Sequence, residues 1–346
     1  MSVQILVGDC RETLKTLASE SVQTCVTSPP YWGQRDYGHE GQLGQEATPG
    51  QYVQTLVGVF SEIWRVLKPD ATLFLNLGDS YCSQGGIHDG RADNQPGVGA
   101  ARQWRNGSGR ADGIVDERGQ RNRNGNTVPG MKPKDLIGIP WRVAFAMQDA
   151  GWYLRSEITW CKRAPMPESV KDRPTSATEK IFLFTKSPTY LYNADAVRLE
   201  SLDAVDDERR IAAQRNGNKS APTDMQNGLR PRGKKPHGHP REQEGWLDAG
   251  TKAEQCANGA NLRNFWVLGP ESFADAHFAT FPTEIPRRAI LIGSRPGDTI
   301  LDPFGGSGTT GMVALELGRK AVLCELNPAY VALIEQRCHT TPGLAL

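Results

Sequence analysis

A glycine-rich turn between two apolar segments near the C-terminus constrains the fold more than any other feature of the sequence. Residues 299–302 predict a strand, residues 303–311 form the turn, and a helix follows through residue 317. A second predicted strand, residues 321–324, ends directly before Glu325. The order strand, glycine turn, helix, strand and acid is typical of nucleotide-binding α/β folds.

The spacing of the glycines refines this prediction. Gly306, Gly308 and Gly311 fit the G-x-G-x-x-G pattern of dinucleotide-binding turns. Glycines let the backbone approach a ligand closely, and an acid at the end of the second strand can accept both hydroxyls of a ribose. The unit therefore predicts a nucleoside-cofactor site, and a glycine-rich structural turn followed by a surface glutamate is the alternative.

The position of this unit predicts the topology of the sheet. Only about twenty residues follow Glu325, too few for the further strands that a dinucleotide fold requires. N-terminal strands must therefore complete the sheet, with residues 3–7 as the neighbour and residues 22–27 one strand beyond. Asp9, Ser28, Asp302 and Glu325 are then expected along one carboxyl edge, where α/β sheets bind ligands. The predicted fold is an α/β, circularly permuted Rossmann-like domain.

A second motif follows the predicted strand at residues 22–27. The β-branched residues of this segment favour a buried strand, and Ser28-Pro29-Pro30-Tyr31 comes directly after it. Two prolines end the strand and stiffen the turn, because proline fixes φ and restricts the preceding residue. A hydroxyl, exposed carbonyls and an aromatic face suit the binding of a planar amino group. A loop that merely contains two prolines is the alternative.

The remaining periodic segments complete a predicted α/β domain. An amphipathic helix is predicted over residues 52–67, ended by Lys68-Pro69-Asp70, and a second helix over residues 141–149. Further strands are predicted at residues 72–77, 153–160, 180–185 and 264–268.

Two polar stretches interrupt this pattern. Residues 84–130 are rich in glycine, arginine and asparagine, so burial cannot offset their ordering entropy, and we expect a disordered insertion. Residues 201–262 are also polar and predict a second insertion. The catalytic domain is thus expected in three parts, residues 1–83, 131–200 and 263–346.

Composition bounds the class of protein. The chain has 40 basic and 39 acidic residues, so any surface for nucleic-acid phosphates must be local. Its seven cysteines are scattered without a C-x-x-C pair, which favours reduced thiols and predicts no metal site. The N-terminus has no signal-like pattern and no apolar run is long enough to span a membrane, so a cytoplasmic location is expected.

With both motifs in hand, the chain resembles the DNA amino-methyltransferases of the permuted β class. The resemblance rests on Ser28-Pro29-Pro30-Tyr31 and on the segment from Asp302 to Thr310, and it covers the chain except the two polar stretches. It implies S-adenosyl-L-methionine as cofactor and double-stranded DNA as partner. It also implies that residues 201–262 recognise the target sequence, and it leaves open a homodimer and a cognate restriction endonuclease.

The resemblance also assigns roles to individual residues. The catalytic turn is Ser28, Pro29, Pro30 and Tyr31. The cofactor-binding residues that it implies are Asp9, Ala279, Phe281, Asp302, Phe304, Gly305, Gly306, Ser307, Gly308, Thr309 and Glu325. Asp9, implied to hold the adenine amino group, has a cap of the following helix as its alternative. Relatives often carry asparagine where this chain has Ala164, so that loop receives no catalytic role.

The first residue of the catalytic turn bears on the substrate. Most cytosine-N4 enzymes of this family begin the tetrapeptide with serine, so Ser28 favours methylation of the cytosine N4 amine. Adenine-N6 methylation is the alternative, and an NAD-dependent oxidoreductase and a non-catalytic DNA-binding protein are more distant ones. Carbon-5 methylation of cytosine is disfavoured, because it needs a cysteine that usually follows proline and the chain contains no Pro-Cys dipeptide.

Overall fold

The computed structural model describes residues 2–39, 41–83, 128, 130–199, 259–269 and 281–339. Contacts within the chain divide it into two compact units, one comprising residues 1–192 and 264–346 and the other residues 193–263. Among the described residues, no helix is long and apolar enough to cross a membrane.

The first unit is built on a mixed sheet. Its described strands are β1 (Val3–Val7), β2 (Val22–Thr27), β3 (Leu67–Leu77), β4 (Tyr153–Lys162), β5 (Thr178–Thr185), β6 (Phe265–Leu268), β7 (Thr299–Asp302) and β8 (Lys320–Glu325). Their order in the sheet is β1-β8-β7-β2-β3-β5-β4-β6. The pairs from β1 to β3 are parallel, β5 is antiparallel to both β3 and β4, and β6 is parallel to β4.

Six described helices accompany these strands: α1 (Cys10–Thr13), α2 (Pro49–Val66), α3 (Ile139–Asp149), α4 (Glu284–Gly293), α5 (Thr309–Glu316) and α6 (Val331–His339). Helix α2 shows how the sequence sets its bounds. Thr48 and Gln51 form a reciprocal capping box, and Pro49 occupies the first turn, where its missing N–H costs nothing. The helix ends at Val66 as Lys68-Pro69-Asp70 predicts, but β3 begins at once and includes these residues.

The predicted position of one strand is wrong. β2 does not lie beyond β1, since it pairs with β7 through Thr24 with Ile300 and Cys25 with Leu301, and with β3 on its other side. Every residue of β2 is buried, whereas no residue of β1 is fully buried. A strand that is buried along its whole length suits an interior position with neighbours on both sides, whereas β1 tolerates the edge position beside β8.

The functional consequence of the topology is nevertheless the predicted one. Because β1, β8, β7 and β2 are parallel, their carboxyl ends lie at one edge of the sheet. Asp302 and Glu325 end two of these strands, and Ser28 follows a third. Structures from both ends of the chain thus meet at one edge, as a circularly permuted Rossmann-like fold requires.

In the second unit, Leu199 and Ala260 exchange two backbone hydrogen bonds of 2.8 Å, which join the ends of the segment between them. Most of residues 84–130, most of residues 201–262, and Ala279 lie outside the described residues. The predicted disorder and target recognition of these stretches therefore stay predictions.

Candidate active site

A cavity of about 750 Å³ lies at the carboxyl edge of the sheet. It is lined by most of the predicted site residues: Asp9, Ser28, Pro29, Pro30, Tyr31, Phe281, Asp302, Phe304, Gly305, Gly306, Ser307, Thr309 and Glu325. The turn at residues 28–31 and the glycine turn at residues 303–311 therefore line the same cavity. Gly308 is the described member of the predicted set that does not line it.

The glycine turn brings backbone close to the end of β8. The amide of Gly305 donates to the carbonyl of Cys324 at 2.8 Å, and a Cβ at Gly305 would lie 3.2 Å from that same oxygen. Gly308 instead begins α5 with a φ of 78°, and a Cβ there would press against Ile334 of α6. The missing side chain at Gly305 therefore lets the turn pack closely against β8, and Gly308 sets the start of the helix.

Glu325 is held by the backbone on both carboxylate oxygens. One oxygen accepts from the amide of Gly306 and the other from the amide of Asn327, each at 2.8 Å. Only 7% of the residue is exposed, and burial raises the pKa of its carboxyl above the usual value. Each oxygen retains lone-pair capacity, so the carboxylate can still accept hydrogen bonds from a ligand's hydroxyl groups.

Asp302 joins the two motifs of the sequence. Its carboxylate accepts from the hydroxyl of Thr27 and from that of Thr310, both at 2.7 Å, and from the amide of Phe304 at 3.1 Å. The residue is 2% exposed, and burial raises the pKa of its carboxyl. Because these three partners occupy both oxygens, Asp302 ties β2 to β7 and orders the glycine turn; a direct contact with cofactor stays a prediction.

Asp9 caps the helix that follows it. Its carboxylate accepts from the backbone amide of Arg11 at 2.8 Å and forms an ion pair with the guanidinium of the same residue. The hydrogen bonds from Arg11 hold the pKa of Asp9 below its usual value. The capping alternative is therefore present in the structure, and Asp9 also lines the cavity.

On the other side of the cavity, polar groups surround the hydroxyl of Tyr31. This hydroxyl donates to Glu179 at 2.6 Å and accepts from the side-chain amide of Asn76 at 2.9 Å. The hydroxyl of Ser28 donates to the Tyr31 oxygen at 3.3 Å. Burial, followed by the charge of Glu179, raises the pKa of Tyr31 well above its usual value, so the phenol stays neutral.

Packing fixes the ring of Tyr31 and the turn around it. Gly78 leaves the space that the ring needs, because a Cβ there would lie 2.5 Å from Cε2 of Tyr31. The hydroxyl of Tyr52 donates to the carbonyl of Pro30 at 2.9 Å. Trp32 is 5% exposed and its indole N–H donates to the carbonyl of Glu46, so this tryptophan is part of the core and supports the turn.

Sequence reasoning missed several polar residues that line this cavity, among them three on the strands β3, β4 and β5. Asn76, Lys162 and Glu179 line the cavity but come from β3, β4 and β5. Asn76 gave a signal, since it is a lone amide within the apolar run of β3. Glu179 gave none, because its place depends on the antiparallel register that sets Leu77 opposite Lys180.

The chain matches a family model described as DNA methylase, N6_N4_Mtase, over residues 22–336. It is 38% identical to the Type II methyltransferase M.SmaI of Serratia marcescens, over 97% of this chain and 90% of that protein. It is 40% identical to the Type II methyltransferase M.Cfr9I of Citrobacter freundii, over 95% of this chain and 85% of that protein.

Solved structures show the same fold at lower identity. The cytosine-N4-specific PvuII DNA methyltransferase superimposes with a TM-score of 0.58 and 19% identity, covering 97% of this chain and 86% of that one. A Thermus thermophilus protein in complex with S-adenosyl-L-methionine superimposes with a TM-score of 0.54 and 20% identity, covering 99% of this chain and 96% of that one.

Proposed function

Because the chain belongs to the DNA methylase family N6_N4_Mtase, we propose that it transfers a methyl group from S-adenosyl-L-methionine to the exocyclic N4 amine of cytosine in duplex DNA. The observation that carries the proposal is the Ser28 hydroxyl, which lines the same cavity as the glycine turn and Glu325. Serine at this position is the feature that favours cytosine over adenine.

The residues of the cavity fit this cofactor. The carboxylates of Asp9, Asp302 and Glu325 line it, and acidic groups suit a cationic sulfonium. Glu325 would hold the ribose hydroxyls, and the turn from Phe304 to Thr309 would hold the methionine end, with Ala279 and Phe281 closing it. When bound, the cofactor supplies an electrophilic methyl group.

The target amine needs help from the protein, because its lone pair is delocalised into the ring. Ser28 would accept a hydrogen bond from one N–H of the amine and the carbonyl of Pro29 from the other. These contacts favour tetrahedral nitrogen, whose lone pair would attack the sulfonium methyl in line. The N–C bond would form as the methyl–sulfur bond breaks to leave a neutral thioether, and the nitrogen would then lose one proton to water. The rate acceleration then comes from positioning and electrostatics, and no covalent bond to the enzyme is required.

Access to the amine requires the base to leave the duplex, since its reactive atom is hidden in the stack. Tyr31 offers a ring for the flipped base to stack on, because its hydroxyl is anchored by Glu179 and Asn76. Basic residues of the two polar stretches would contact phosphates, which makes binding sensitive to salt. A homodimer and a cognate restriction endonuclease remain predicted partners.

The test is to incubate the purified protein with S-adenosyl-L-methionine and unmethylated duplex DNA of varied sequence, digest to nucleosides and identify the product by mass spectrometry. N4-methylcytosine is the expected product. N6-methyladenine would show that Ser28 misleads and that adenine is the target. Absence of any methylated base would favour the non-catalytic alternative, and binding of NAD in place of S-adenosyl-L-methionine would favour the oxidoreductase.

A variant of the catalytic turn separates chemistry from binding. Ser28→Ala is expected to lower the single-turnover rate about 100-fold or more, since one preorganised contact to the reacting group is lost. The affinity for S-adenosyl-L-methionine should be unchanged. Ser61→Ala is the matched control, because Ser61 lies on the exposed face of α2 and its hydroxyl donates to the carbonyl of Val57 in the preceding turn.

A further inference from the structure

An ion pair lies at the target side of the cavity. Glu179 Oε1 accepts from Nζ of Lys162 at 2.5 Å, and its other oxygen, Oε2, accepts from the hydroxyl of Tyr31. The Glu179 side chain is only 12% exposed. Lys162 also lies over the ring of Trp160, with Nζ 5.2 Å from the ring centroid. Both carboxylate oxygens of Glu179 therefore have a hydrogen-bonding partner, and the negative charge of Glu179 lies at the cavity.

The carboxylate determines the direction of the hydrogen bonds around it. An ionised carboxylate only accepts, so the proton of the Tyr31 hydroxyl must point to Glu179. The side-chain amide of Asn76 donates to Glu179 and to Tyr31, both at 2.9 Å. Rotating this amide by 180° would set its oxygen against the carboxylate, so Glu179 also fixes the orientation of Asn76.

The same direction extends to Ser28. Because the Tyr31 proton is committed to Glu179, the Tyr31 oxygen accepts, and the hydroxyl of Ser28 donates to it. The proton of Ser28 therefore points away from the substrate side. The Ser28 oxygen accepts a long hydrogen bond of 3.5 Å from the side-chain amide of Asn76, and its second lone pair remains available to the target amine. If Tyr31 instead donated to Ser28, the Ser28 proton would turn outwards and oppose an N–H of the target amine.

We propose that Glu179, held by Lys162, is a positioning residue that orients the chain of hydrogen bonds through Tyr31 so that Ser28 presents an acceptor to the target amine. This inference rests on the proposed function, since it requires an amine substrate at Ser28. It applies equally to the amine of cytosine and that of adenine, so the identity of the methylated base does not decide it.

The test is Glu179→Gln, a substitution that keeps the shape and replaces one acceptor by a donor. The new amide can donate to Tyr31 and reverse the chain. We expect the single-turnover methylation rate to fall about 10- to 100-fold, the size of a lost charge-assisted hydrogen bond. Affinities for S-adenosyl-L-methionine and for DNA should stay within about twofold, a split that a general loss of structure would not give.

Coupling to Tyr31 distinguishes orientation from simple packing. Tyr31→Phe keeps the ring and removes the hydroxyl through which Glu179 acts, so it should also lower the rate. The double variant should be no slower than Glu179→Gln, because the hydroxyl that turns the Ser28 proton outwards is gone. Losses that multiply in the double variant, or a wild-type rate in either single variant, would overturn the proposal.

Glu157→Gln is the matched control. Glu157 forms an ion pair of 2.5 Å with Lys180 in the same sheet, is similarly part-buried, and is not among the residues that line the cavity. Its substitution should leave the rate unchanged. If Glu179→Gln does not fold, Tyr31→Phe still tests the hydroxyl through which Glu179 acts, and a wild-type rate in that variant would overturn the proposal. A wild-type protein that methylates no DNA would refute the proposed function together with this inference, whereas an active wild type with an equally active Glu179→Gln would refute the inference alone.

Discussion

Replacing Gly78 by alanine should impair methyl transfer while leaving the cofactor side of the site intact. The new Cβ would lie 2.5 Å from Cε2 and 2.7 Å from Cδ2 of Tyr31, whereas ordinary contacts begin near 3.4 Å. The ring must therefore move by about 1 Å, because the Gly78 backbone is fixed at the end of β3. The methyl group added by Gly78→Ala would therefore displace the ring that we propose as the stacking surface for the flipped base.

The size of the rate loss follows from the hydrogen bonds of Tyr31 that this movement breaks. The hydroxyl of Tyr31 is held by Glu179 at 2.6 Å and by Asn76 at 2.9 Å, and a shift of about 1 Å takes at least one of them out of range. A hydrogen bond to a charged group contributes about 1–3 kcal/mol. If that energy is lost from the transition state, the single-turnover rate falls about 5- to 150-fold.

The assay is single-turnover transfer of labelled methyl from S-adenosyl-L-methionine to DNA, with calorimetric measurement of cofactor affinity. Gly58→Ala is the control, because a Cβ at this exposed position of α2 meets nothing within 4 Å and alanine favours the helix. A Gly78→Ala protein with the wild-type rate would refute the argument that Tyr31 must stay in place. An equal loss of cofactor affinity would show that the damage is general.

Two further predictions concern the cofactor side. Thr27→Val removes one of the hydroxyl groups that donate to the buried Asp302, so the free energy of unfolding in urea should fall by about 1–3 kcal/mol. The control Thr55→Val in α2 should change the free energy of unfolding by less than about 0.5 kcal/mol. Equal losses in the two variants would contradict the special role of the buried hydrogen bond. The raised pKa of Glu325 means that this carboxyl takes up a proton at a higher pH than an ordinary glutamate. Protonation favours the folded state of the cofactor-free protein, but it turns one charged acceptor into a donor and so weakens the proposed hydrogen bonds from the ribose hydroxyls. The Kd for S-adenosyl-L-methionine should therefore rise as the pH falls towards this raised pKa. Glu325→Gln should bind weakly without this pH dependence, and a flat wild-type profile would refute the assignment.

The parts of the site that the sequence predicts are those set by local chemistry. The glycine turn and Ser28 directly follow strands and Glu325 ends one, and parallel strands bring such positions to one edge whatever their order. This is why the carboxyl edge is predicted correctly although the place of β2 in the sheet is not. The order depends on which strands are buried on both faces, and the apolar runs of β1 and β2 look alike in sequence.

The parts that sequence reasoning missed depend on register between distant strands. Glu179 reaches Tyr31 only because β5 runs antiparallel to β3, with Leu77 opposite Lys180. A shift of one residue would turn Glu179 to the opposite face of the sheet. No local pattern specifies that register. Helix α4 was also missed, although Pro286 lies in its first turn, where proline is tolerated, and its buried residues Ile285, Ala289 and Ile292 follow helical spacing.

The bond between Thr27 and Asp302 has a consequence for how the protein matures on the ribosome. The turn that would bind the base is synthesised about 270 residues before its neighbour β7 and the glycine turn. At about 5–20 residues per second, the nascent chain spends many seconds without a site for the methyl donor. Chains released before β8 also leave β1 without the strand that it pairs with here. A product that terminates before β7 therefore lacks both Asp302 and the glycine turn, so it cannot form the proposed site for the methyl donor.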